Sequence, residues 1–270
     1  MRQSSNPAFS SLTQTVAREQ RAGYQDPYAG EYGQQAPARQ ERPMTVDDVV
    51  SKTGITLGVI ILAAAINFVI YTSVSMGLGA ILTIVGAIGG LITVLVSSFS
   101  KKYGSPVVTL LYAAFEGLFV GGISFMFAGT QIGGGNGFGL IIQAVIGTLG
   151  VFAGMLFVYK TGAIKVTAKF TRFITAALIG VLVLSIGNLL LALFLGASPL
   201  RDGGPLAIVF SLVCIGLAAF SFLLDFDQAD KLVRAQAPAS YAWGVALGLA
   251  VTLVWLYVEI LRLLSYFNRD

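Results

Sequence analysis

Five ionisable side chains stand inside runs that are otherwise apolar. Glu116 lies within AAFEGLFVGG, Asp225 and Asp227 within FSFLLDFDQADKLV, and Glu259 and Arg262 near the end of the last run. A carboxylate in hydrocarbon costs several kcal/mol unless it is protonated, paired or solvated by a cavity. Such a group either ties helices together or lines a path for ions or protons. For Glu116 both readings stand. Glu259 and Arg262 are three residues apart, share one helical face, and can pair with each other. Alternatively, Arg262 holds a carboxylate from another helix. Thr252 and Trp255 share about the same side, which makes that face the candidate bundle interior. Asp225, Asp227 and Asp230 cluster where their run ends, as a solvated helix end neighboured by Lys231 and Arg234 would. Asp225 reads differently, because it follows directly on Leu223 and Leu224 and is separated from Asp227 by Phe226. Hard oxygen ligands suit Ca²⁺ or protons better than soft metals. Asp225 and Asp227 are therefore the candidate Ca²⁺ ligands. Together with Glu116, Glu259 and Arg262 they form the candidate ion pathway or gate. The lone amides Asn67, Gln143 and Asn188 are expected to make interhelical hydrogen bonds.

Composition narrows the chemistry further. The chain has no histidine, which removes imidazole metal sites, histidine bases and Ser-His or Cys-His nucleophile pairs. Cys214 is the one cysteine, sits in mid-run, and is expected to be a packing residue. No GxGD-type aspartate pair occurs within two spans, so an enzyme is not expected. No resident cofactor is expected either, and Ca²⁺ enters only as a permeant ion. The net charge of +4 resides mostly in loops and forms no aromatic-laced stripe, which argues against nucleic-acid binding.

The elements that must position these residues are membrane spans. The sequence is 56% hydrophobic and 11% charged, with a mean hydropathy of +0.80. This is the composition of a polytopic membrane protein, and its first partner is the lipid bilayer. Seven apolar runs of spanning length cover Ile55–Met76, Leu78–Phe99, Val107–Ala128, Phe138–Tyr159, Phe173–Gly196, Pro205–Leu224 and Tyr241–Tyr266. They predict an all-α, seven-transmembrane-helix bundle over residues 45–270. The first two runs are divided only near Gly77, as a tight helical hairpin requires. Residues 1–44 are rich in Gln, Ser, Gly, Pro, Arg and Tyr and read as a disordered polar tail. With no apolar core segment there, no cleavable signal peptide is expected. Thr45 is placed to cap a short interfacial lead-in helix, MTVDDVVSKTG, with Asp47 and Asp48 at its positive end. Lys101, Lys102, Lys160, Lys165, Lys169, Arg172, Lys231 and Arg234 fall in alternate loops, which makes that side, and the tail, cytoplasmic. A re-entrant last segment would bring the C-terminus to the same side. Glycines four apart recur at Gly54/Gly58, Gly86/Gly90, Gly117/Gly121, Gly150/Gly154 and Gly244/Gly248. They predict close helix crossings within a monomer or weak oligomer.

On FVGGIS in the third run, LLDFDQ ending the sixth and ILRLL closing the seventh, the chain resembles the Bax inhibitor-1/YccA-like (transmembrane Bax inhibitor motif) family. The resemblance covers about Thr45 to Phe267. NPAF followed by MTVDDVV is similar to a bacterial branch, which implies a bacterial plasma (inner) membrane. The resemblance implies that the last helix is central and surrounded by the other six. It also implies a pH-sensitive Ca²⁺ leak. There, an aspartate ending the sixth span shares a proton with one in the seventh. Such a pair titrates near neutral pH because two close carboxylates cannot both ionise cheaply. Asp225 matches the first position. Counting back without gaps from Arg262, the second falls at Thr252, which cannot ionise. Asp225 would then work with Asp227, Glu259 or Glu116, or conduction is absent. The resemblance also allows a regulatory role, through contact of the tail or basic loops with a membrane partner such as a protease. A secondary transporter is a further reading, although no pair of broken helices marks a substrate site.

Overall fold

The computed structural model describes residues 41–99, 103–132 and 137–268. The expected tail lies, up to residue 40, outside them. Seven helices run through the described residues: α1 Val46–Val69, α2 Met76–Phe99, α3 Pro106–Ile132, α4 Gly137–Thr161, α5 Ala168–Leu195, α6 Pro205–Arg234 and α7 Tyr241–Phe267. Each is long and apolar enough to cross a membrane, so the chain is a multi-pass membrane protein. The last is one continuous helix of spanning length.

Local chemistry sets the helix ends. Thr45 Oγ1 accepts the Asp48 N–H at 3.3 Å and the Asp48 carboxylate accepts the Thr45 N–H at 3.0 Å, a reciprocal cap. The lead-in and the first span are consequently one continuous helix instead of two. α1 closes in a π-helical turn, Ile70–Val74, and Ser75 then adopts extended backbone, so the hairpin turns at Ser75 and not at Gly77. Thr167 caps α5, which ends on Gly196 in the left-handed region. Pro205 opens α6, where its missing N–H costs nothing. α6 also runs on to Arg234, ten residues past the expected end of its span.

The helices alternate in direction, which collects Arg42, Lys52, Lys160, Lys231 and Arg234 at one end of the bundle, here the basic face. α7 is the axis of the fold. In its most apolar stretch 78% of residues are buried, against 6% in α5. α7 packs on α1, α3, α4 and α6, while α5 leans on α6. Ala218, Phe222 and Phe226 of α6 and Val245, Leu249, Leu253 and Leu256 of α7 share one core cluster. Phe152 of α4 stands edge-on to Phe222 and Phe226.

The residues just before α1 also belong to this body. Glu41 to Met44, expected with the tail, are fastened to the link between α6 and α7. The Met44 N–H donates to Ala237 O at 2.8 Å and the Ala239 N–H to Arg42 O at 2.9 Å. Met44 itself is buried in the α6–α7 cluster.

Candidate functional site: a carboxylate cavity at the basic face

Asp225 stands well inside α6, because the helix continues past it to Arg234. Its neighbours Phe222 and Phe226 are buried in the core. Asp225 itself is half-buried. The residue facing it across the α6–α7 contact is Thr252, whose Oγ1 donates to Asp225 Oδ2 at 2.7 Å. The gap-free count along α7 thus finds the spatial partner of Asp225, and that partner is a hydroxyl.

A cavity of about 340 Å³ opens beside this pair, lined by Asp225, Ser97, Tyr103, Gln228, Gly244 and Gly248 among others. No atom lies within 4 Å of where a Cβ on Gly248 would stand, so this glycine widens the cavity. The lining offers one carboxylate, several hydroxyls and an amide. Val245, Leu247 and the two glycines complete the lining, so this is a mixed vestibule and not a closed chelate. Among the described residues no group of three acidic or thiol side chains comes together to hold a metal ion.

The structure does not bring Asp225 together with any of the other expected carboxylates. Two residues apart on a helix, Asp225 and Asp227 point about 200° apart. Asp227 pairs instead with Lys231 at 2.5 Å, and Asp230 with Arg234 at 2.9 Å, both (i, i+4) along α6. Glu259 and Arg262 pair with each other at 2.6 Å, both buried, and among the described residues no carboxylate from another helix pairs with Arg262. Ser211 Oγ of α6 lies 3.4 Å from the other Glu259 oxygen, and Arg262 stands 5.8 Å from the centre of the Phe127 ring. Glu259 is seven residues along α7 from Thr252, about 10 Å further from the basic face.

Glu116 is the exception among the buried acids. Its half-buried side chain lies against α2, so close that a Cβ on Gly90 would stand 2.8 Å from Glu116 Oε2. It forms no ion pair and accepts no hydrogen bond among the described residues. Gly90 and the cavity residue Ser97 are seven apart on α2 and so share one face about 10 Å apart along it. Glu116 of α3 therefore meets α2 about 10 Å deeper than the cavity residue Ser97.

The amides divide. Asn67 is buried and donates from α1 to Leu118 O of α3 at 2.6 Å and to Thr83 Oγ1 of α2 at 3.1 Å, as expected of an interhelical bond. Asn188 is buried and accepts the Leu200 N–H at 3.0 Å, fixing the link after α5. Gln143 is exposed and has no such role. Cys214 is a buried packing residue with a free thiol.

Sequence reasoning missed Tyr103, Gln228, Ser97 and the open side of Gly248. Gly244 and Gly248 carried a signal, a small pair near the start of α7, but their spacing reads as helix packing.

The family model described as Bax inhibitor 1 like matches residues 6–269. A comparison with curated proteins gives no match. The match spans all seven helices, including the α6–α7 contact that holds Asp225, and the chain belongs to the Bax inhibitor 1 like family.

Proposed function

We propose that the protein is a passive, proton-sensitive leak for Ca²⁺ or a similar cation, entered from the basic face through the Asp225 cavity. The positive-inside bias makes that face cytoplasmic, in a bacterial plasma membrane on the resemblance of the N-terminal segment. The observation that supports the reading is the Asp225 carboxylate itself. It is half-buried, unpaired with any described lysine or arginine, held by Thr252 at 2.7 Å, and open to a partly polar cavity.

A cation leaving water needs oxygen ligands, and Asp225 supplies the negative charge that the lining hydroxyls lack. Thr252 can donate to the ionised carboxylate and can accept from the protonated acid, since a hydroxyl does both. Protonation at Asp225 thus keeps the contact but removes the charge that attracts the ion. Glu116 of α3, which meets α2 deeper than the cavity, offers a second carboxylate with no described cation beside it. Beyond the cavity, Phe222, Leu253 and Leu256 are packed in the core, so passage requires α6 and α7 to part.

The test is Ca²⁺ flux into dye-loaded liposomes carrying the full chain, between about pH 6 and 8. Flux above that of empty vesicles is expected, with a severalfold loss in Asp225→Asn and a smaller loss in Glu116→Gln. Flux that does not depend on the protein, or is unchanged in Asp225→Asn, would sink the reading.

A further inference from the structure

We propose that Tyr103 is a stopper at the mouth of the Asp225 cavity, held in a notch that only Gly244 provides. The inference rests on the leak reading for its consequence, though not for its geometry. Tyr103 stands in the link between α2 and α3, at the basic face. Its ring lies on the backbone of α7, so close that a Cβ on Gly244 would stand 2.6 Å from the ring Cζ and 2.8 Å from each Cε. No other residue type fits under the ring without displacing it. The far end of the ring reaches α6, where the Tyr103 hydroxyl accepts from Gln228 Nε2 at 3.3 Å. One side chain therefore bridges the two helices whose contact holds Asp225.

Tyr103 and Gly104 are themselves held in place. The Tyr103 ring stands edge-on to Tyr241, with centroids 5.3 Å apart and planes at 80°. Gly104 has φ +84°, and a Cβ on it would lie 2.8 Å from Ser240 O. Both contacts tie the link to the first residues of α7. Gly244, Gly248 and Thr252 follow at i, i+4 and i+8 on one face of α7. Tyr103 thus sits about 12 Å outward of Thr252 along the same stripe. An ion approaching Asp225 along this stripe from the basic face must pass the ring. Burial pushes the Tyr103 hydroxyl above its ordinary range, so the ring stays neutral and acts by bulk alone.

Accessibility tests the stopper without requiring conduction. Ser97 lines the cavity and is buried. In the full chain carrying Cys214→Ala and Ser97→Cys, purified in detergent, a water-soluble maleimide reports entry to the cavity. Labelling should be slow in that background and severalfold faster after Tyr103→Ala. It should also be faster after Gly244→Ala, whose methyl evicts the ring, and nearly unchanged after Tyr103→Phe, which keeps it. Equal labelling rates in Tyr103→Ala and its parent would overturn the stopper, whether or not Gly244→Ala folds. In liposomes, Tyr103→Ala should raise Ca²⁺ flux, and faster labelling with unchanged flux would overturn its part in the leak. If Asp225→Asn leaves flux unaltered the leak reading falls, and the labelling rates still judge the stopper.

Discussion

The contact between Asp225 and Thr252 decides what kind of titration this site can show. Two facing carboxylates would share a proton and titrate in two coupled steps. With Thr252 opposite, only Asp225 of this contact ionises, so the contact adds one proton to the pH response of flux, separate from any at Glu116. Thr252→Asp would make an acid pair at this contact, and its flux is expected to gain one further step in its pH profile. A profile identical to that of the parent would show that the contact does not set the response. The buried Glu259–Arg262 pair lends itself to a stability measurement. Removing one partner of a buried pair strands the other charge. Arg262→Met should therefore lower stability by about 3–5 kcal/mol, read by thermal unfolding in detergent, while the double replacement with Glu259→Leu should recover much of it. At this scale the sequence was partly legible. A charged residue in an apolar run is visible at once, and counting from Arg262 located Thr252. Tyr103 and Gln228 carried no such contrast, because a tyrosine in a basic link and a glutamine at a helix end look like ordinary surface.

Between elements, the fold depends on where backbones touch. Lipid gives helices no hydrophobic drive to associate, so small residues at crossings matter. Five glycine pairs at four-residue spacing were visible, and they behave differently. A Cβ on Gly117 would stand 2.5 Å from Ile60 O, and one on Gly121 would collide with Ala64 O. Gly86 faces Phe115 O of α3 at 2.5 Å in the same sense. Gly54, Gly58, Gly150 and Gly154 meet nothing within 4 Å. The spacing announces a small-residue face, but only the partner helix decides whether that face is used, and the partner is not written in the local sequence. Gly117→Ala is therefore expected to cost about 1–3 kcal/mol by forcing α1 and α3 apart. Gly58→Ala should instead be neutral or stabilise by up to about 1 kcal/mol through helix propensity. Unfolding of the two variants side by side checks the ordering, and equal losses would contradict it. The π-turn at Ile70–Val74 was likewise hidden. It serves Tyr71, which stacks on Phe125 at 4.5 Å and covers Gly79 of α2, contacts that exist only after the hairpin has closed.

For the molecule as a whole, the axial place of α7 agrees with what the family resemblance implied. The strap from Glu41 to Met44 had no sequence signal, since its partners lie near residue 238 and local periodicity carries no information about them. The strap holds the link that leads into α7. The Ser240 N–H donates to a Glu41 carboxylate oxygen at 3.1 Å, Lys52 Nζ donates to Ala239 O, and Met44 is buried beneath. The same link presses Ser240 O against Gly104, next to Tyr103, so the strap and the stopper share one support. Deleting residues 1–40 should leave these contacts and the labelling of a cavity cysteine unchanged. Extending the deletion through Thr45 removes the buried methionine, two backbone bonds and the α1 cap. It should cost at least about 2 kcal/mol and make the cavity easier to label. The strap's response to pH has a definite sign. Hydrogen bonds from Ser240 hold the Glu41 carboxyl below its ordinary value of 4.5. A lowered carboxyl contributes stability that is full above 4.5 and is lost as pH falls through the lower folded value. The strap should therefore be indifferent between about pH 6 and 8 and loosen only in acid. Glu41→Gln should remove its own share of that acid limb, leave the share of the Arg42–Asp48 pair, and leave any neutral-pH response of flux intact. If the substitution abolished the neutral-pH response, the pH sensitivity would belong to the strap and not to Asp225.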